Sequence, residues 1–209
     1  MVDRFCNYLT GRIRVKMPEI DDERAEIIQY GLQLLIGELP KFFIMLGIAW
    51  ILGVVKLTII CFFIMLPYRM SSGGFHLKTH IGCIIGTSLM YIGNAYLSQF
   101  FHIDIIGKII ISIALWIISL IMIFKYAPAD TEDVPIISKS ERRKKRVSSY
   151  VVVTIMLVIG CFINIDVLSN MIIIGVLLQT FSISRFAYNI TNNKYGHEVY
   201  LENEDLNVN

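Results

Sequence analysis

Two apolar runs restrict this chain more than any other feature. "IIGKIIISIALWIISLIMIF" covers residues 105–124 and "YVVVTIMLVIGCFI" covers 150–163. A helix needs roughly 20 mostly apolar residues to cross the hydrocarbon core of a bilayer. The whole chain follows the same bias: of its 209 residues, 55% are hydrophobic and 17% are charged, against about 25% charged in soluble domains. The expected fold is an all-α, polytopic integral membrane protein. The scattered cysteines Cys6, Cys61, Cys83 and Cys161 give no disulfide framework.

Six spans are expected, near 40–55, 57–70, 81–101, 104–126, 148–165 and 167–187. They form a bundle over 40–187, within a single membrane domain covering 1–209. Ahead of it, 1–38 reads as amphipathic N-terminal helices. Arg4, Arg12, Arg14 and Lys16 are interleaved there with Phe, Tyr, Leu and Ile, which suits a helix lying in the membrane interface. That opening segment lacks an apolar h-region and a small-residue cleavage site, so no secretory signal is expected. The stretch 190–209 is a polar tail. Tight connections such as "FHID" and "NID" join antiparallel neighbours. The one long polar connection is 127–147.

Charge sets the orientation. With six spans and the N-terminus inside, the inner segments carry Arg69, Lys78, Lys125, Lys139, Arg142, Arg143, Lys144, Lys145, Arg146, Arg185 and Lys194, besides the N-terminal basic residues. The outer loops hold Lys56. The positive-inside bias therefore predicts a multi-pass membrane protein with both termini and the 71–80 loop in the cytoplasm. A net charge of +2, with the basic groups spread along membrane edges, predicts the lipid bilayer as partner and no nucleic acid.

The loop holds the chemistry. "GGFHLKTHIGC", residues 73–83, brings His76, His80 and Cys83 together at a membrane boundary. Gly73 and Gly74 allow a sharp break between helices, and irregular backbone at membrane depth is tolerated only inside protein or beside a wet cavity. Were 76–83 one helix, His76, His80 and Cys83 would share a face and offer three zinc ligands. A metal hydrolase is one reading, although no fourth ligand and no H-E-x-x-H glutamate accompany the three. A thiol–imidazole dyad is another. On a continuous helix His76 and Cys83 stand about 10.5 Å apart along the axis, so His80 is the better local partner unless the helix starts after His76 and "FHLKT" folds back over it. A non-enzymatic peptide transporter, with the loop as a gate, is a third reading. Transporters usually show internal repeats and mid-span polar residues, and few are apparent here.

The spacing His76, six residues, Cys83, paired with the polar loop "KYAPADTEDVP" and the basic cluster after it, resembles the accessory gene regulator protein B (AgrB) family of membrane endopeptidases. The likeness extends over most of the chain. It implies a cysteine peptidase with Cys83 as nucleophile and His76 as general base and acid. It also implies a short amphipathic pro-peptide substrate with an acidic tail, cyclisation to a thiolactone, and a role in quorum sensing. No cofactor and no metal are implied. Oxyanion or supporting groups are expected among Arg69, Ser71, Ser72, Gly74 and the backbone N–H groups that open the third span. The cluster Arg142, Arg143, Lys144, Lys145 and Arg146 suits anionic lipid or, by the resemblance, the substrate's acidic tail. Asp130, Glu132 and Asp133 precede it as pairing partners. A homodimer is an expectation from the packing habits of small helical membrane proteins.

Overall fold

The computed structural model describes residues 2–17, 19–77, 79–132 and 135–201. Asp133, the tail beyond 201 and the side chain of His80 lie outside the described residues. The chain divides into two compact units, Met1–Ile48 and Ala49–Asn209. In the first, α1 (Val2–Lys16) packs on α2 (Asp22–Gln33), and a π-helical turn, Leu34–Glu38, leads into α3 (Leu39–Ile51).

The second unit holds α4 (Val55–Ser72), α5 (His80–Leu97), α6 (Ile105–Tyr126), α7 (Lys139–Phe162), α8 (Asp166–Ser182) and α9 (Arg185–Ile190). Among the described residues three of these, α4, α6 and α7, are long and apolar enough to cross a membrane. Shorter apolar helices are Ile81–Leu97 and Asp166–Ser182. Helix α4 packs on α5, α7 and α8, and α6 on α7 and α8.

The distribution of side chains is inside-out. In α6 the buried stripe is Lys108, Ser112, Leu115, Ser119 and Ile123, while Ile106, Ile110, Ile113, Ile117 and Phe124 face outward. Water would penalise that arrangement by roughly 25 cal/mol for each Å² of apolar surface. A bilayer rewards it, because polar groups gain by turning inward to find partners. They do so here. The Tyr68 and Ser119 hydroxyls meet Thr180 Oγ1 at 3.0 and 2.8 Å, and Asn94 Nδ2 donates to Met171 O at 3.0 Å. This is a helical membrane protein.

Helix ends differ from the sequence reading at several points, and two of them have a visible cause. The segment 127–147 is not all connection: α7 starts at Lys139, so the basic cluster lies on its first turns. The cause is a cap. Ser138 Oγ accepts from Glu141 N at 3.4 Å, the S-x-x-E pattern of a helix start. The segment 167–187 also breaks, at Ile183, and Ser184 caps the short α9 by accepting from Ala187 N.

Candidate active site

Helix α4 ends where Gly73 takes φ +72° and Gly74 takes φ +137°, values open mainly to glycine. Thr79 caps α5. Thr79 Oγ1 accepts from Gly82 N at 3.0 Å and Thr79 O accepts from Cys83 N at 2.9 Å. Cys83 is thus the fourth residue of α5, while His76 lies before the helix. His76 therefore does not share a helical face with Cys83, because it lies outside α5. The half-buried Cys83 Sγ lies 3.9 Å from Thr87 Oγ1.

The segment folds back over the helix start. Leu77 lies against Gly82 and Gly86 of α5: a Cβ at Gly86 would come within 2.8 Å of Leu77 Cδ1, and one at Gly82 within 3.5 Å of Leu77 Cβ. Helix α4 and two later parts of the chain fasten the rest. Gly74 N donates to Ala129 O and Ala129 N to Ser72 O, both at 2.8 Å, a two-rung parallel bridge with the polar loop. Phe75 N donates to Ser182 O at 3.3 Å, and Phe75 O accepts from Arg69 Nη2 at 2.7 Å. Asn193 Nδ2 donates to His76 O at 2.6 Å.

The expected supporting residues are engaged in this framework. Arg69 also reaches Gly73 O and Ser182 Oγ. The Ser71 hydroxyl donates to Pro67 O and Tyr68 O, and that of Ser72 to Tyr68 O. The fully buried Gln179 donates to Ser72 Oγ and Gly73 O.

The basic cluster splits. Arg142 pairs with buried Asp130 at 3.0 Å and donates to Ile136 O and Pro128 O; Arg146 Nε donates to Ala127 O at 2.8 Å. Lys145 stands 3.8 Å from Glu141, and Arg143 and Lys144 are exposed. Asp130 Oδ2 further accepts from Ile136 N and His197 N, and Tyr188 Oη donates to Asp130 O. Two basic side chains therefore shape the polar loop. Glu132 meets Lys194 N rather than a basic side chain of the cluster.

The Tyr188 and Tyr195 rings stack with centroids 4.1 Å apart. Burial pushes both hydroxyls above the ordinary tyrosine range; Tyr188 Oη donates to Asp130 O and Tyr195 Oη to Ile183 O. Beside them Arg185, Asn189, Asn193, Lys194, Glu198 and Val199 border a cavity of about 600 Å³.

Leu77, Gln179, Ser182 and Asn193 had not been singled out from the sequence. The pair Gly82 and Gly86, four apart on one helix face, was a readable sign that something packs closely there. Nothing local announces Asn193.

The fold and loop together define a helical membrane protein carrying a histidine and a cysteine at a helix-breaking glycine loop. The family model for accessory gene regulator B matches residues 3–183, and the chain belongs to that family. An AgrB-like protein of Listeria innocua serovar 6a is 27% identical over 194 residues, 92% of this chain and 91% of that protein. Accessory gene regulator protein B of Staphylococcus aureus (strain bovine RF122) is 27% identical over 182 residues, 87% and 91% of the two chains. An AgrB-like protein of Clostridium acetobutylicum is 24% identical over 168 residues, 80% and 78%. No solved structure matches the chain.

Proposed function

We propose that the protein is a membrane-embedded cysteine endopeptidase that cuts a short amphipathic pro-peptide and closes it into a thiolactone for quorum sensing. What carries the reading is the helix start at His80: it frees His76 to fold back toward Cys83, the fourth residue of α5, in a member of this family. In that mechanism His76 takes the Cys83 proton and the thiolate attacks a peptide carbonyl, forming a C–S bond. The C–N bond breaks as His76 protonates the leaving amine. A cysteine thiol within the substrate then attacks the acyl-enzyme thioester, forming the ring's C–S bond, and Cys83 leaves as thiolate and recovers a proton. One thioester replaces another, provided water is kept out.

The N–H groups of His80 and Ile81, which have no partner four residues back inside α5, are the oxyanion donors in this reading. The loop faces the cytoplasm, with the bilayer crossed six times. Exposed Arg143 and Lys144 are left to meet an acidic substrate tail or anionic lipid.

The test is to incubate purified protein with a synthetic amphipathic pro-peptide containing an internal cysteine, quench in acid, and map adducts by mass spectrometry. An acyl adduct on Cys83, absent in Cys83→Ala, is expected. Turnover of the peptide by Cys83→Ala would sink the reading.

A further inference from the structure

We propose that Asn193 is a positioning residue for His76, acting through the His76 carbonyl. The inference rests on the His76–Cys83 reading and adds a residue to it. The segment that carries His76 is fastened on both sides: Gly74 bonds Ala129, Phe75 bonds Ser182 and Arg69, and Leu77 packs on Gly82 and Gly86. The peptide unit of His76 itself is held by the 2.6 Å bond from Asn193 Nδ2.

Asn193 is well placed to hold something else steady. Helix α9 ends with Asn192 at φ +54°, a left-handed conformation that asparagine tolerates better than most residues. Asn192 N then donates to Asn189 O at 3.3 Å and Asn193 N to Tyr188 O at 2.9 Å. This is the pair of backward bonds of a Schellman cap. The Asn193 backbone is thereby locked to α9, and its amide is steadied by Thr191 Oγ1 at 2.8 Å. A fixed donor bonded to the carbonyl of the general base fixes the origin from which the imidazole swings. Geometry within about 0.5 Å is what such a dyad needs.

The test reads Cys83 rather than turnover. Full-length protein in detergent is alkylated with iodoacetamide at pH 7 and at pH 9.5, and the Cys83 peptide is quantified by mass spectrometry. At pH 7 a thiol of ordinary pKa is a few per cent thiolate, and a coupled imidazole raises that fraction. At pH 9.5 a thiol of ordinary pKa is mostly thiolate without help. His76→Ala is expected to lower the pH 7 rate about tenfold with little change at pH 9.5.

Asn193→Leu, close in shape but with no donor, and Asn193→Ser are expected to move the ratio of the two rates the same way. A merely structural residue would alter both rates together. A wild-type ratio in both Asn193 variants, with His76→Ala displaced, overturns the role of Asn193 alone. A wild-type ratio in His76→Ala removes the dyad itself, and this inference with it.

Discussion

The two ends of the second unit are built differently. At the end where α5 passes to α6 and α7 to α8 through tight turns, an ionic cluster and a buried amide fasten the chain. Asp166 accepts from Lys108 at 2.8 Å and meets His102 at 2.7 Å, while Asn170 donates to Ser98 O and Phe101 O. At the other end three separated pieces of chain, 72–77, 127–136 and 182–199, bond to one another through backbone and buried side chains. A short turn can be closed by its own geometry, whereas the fold-back that carries the histidine proposed as general base needs support from outside itself. The difference shows where the molecule invests order: in the loop, rather than in the mere return of the chain.

Four experiments test that contrast. The largest effect is on chemistry: His76→Ala and Cys83→Ala each drop peptide processing to background in a membrane-vesicle assay, while His102→Ala, at the far end, leaves it near wild type. Loss in all three alike would erase the distinction between the ends. Next, Asp130→Ala strands the largely buried Arg142. Unfolding by sodium dodecyl sulfate in mixed micelles should show a loss of about 3–5 kcal/mol. Lys108→Met leaves its half-exposed partner in contact with water and should cost far less; equal losses would mean the two clusters hold their ends equally.

The third experiment compares two glycines that share φ +72°. A Cβ at Gly53 meets open space, whereas one at Gly73 collides with Ala129 O. Gly53→Ala should cost about 1 kcal/mol from backbone strain, and Gly73→Ala about 3 kcal/mol once the collision is added. Similar values would show that the bridge to Ala129 yields easily. The smallest effect belongs to Arg185→Ala. Its 2.8 Å pair with Glu198 is exposed on both sides, so the same titration should register at most about 1 kcal/mol.

Much of this architecture was legible from the sequence, for physical reasons. Bilayer thickness sets helix length, so the α6 and α7 runs announced themselves. The glycine pair at 73–74 announced a break because positive φ excludes most other residues. The α7 start was misread because "ERRKKR" looks like a solvated loop, although Ser138 and Glu141 already spelled a helix cap. The pairing of Asp130 with Arg142 was foreseeable from charge and proximity. What the sequence withheld were contacts between distant positions: Gln179 with Gly73, and Asn193 with His76. An amide carries no charge and no periodicity, so its partner becomes visible only when the chain is folded.

The hydrogen bond from Asn193 to His76 has a consequence for how this molecule relates to its kin. The family model matches residues 3–183, and that span contains both His76 and Cys83. The group that grips the His76 carbonyl sits ten residues past it. In the proposed reading, the grip on the histidine comes from beyond the span of the family model. A residue outside the matched span would then set the pace of the proposed chemistry, so that the chain's periphery tunes its centre.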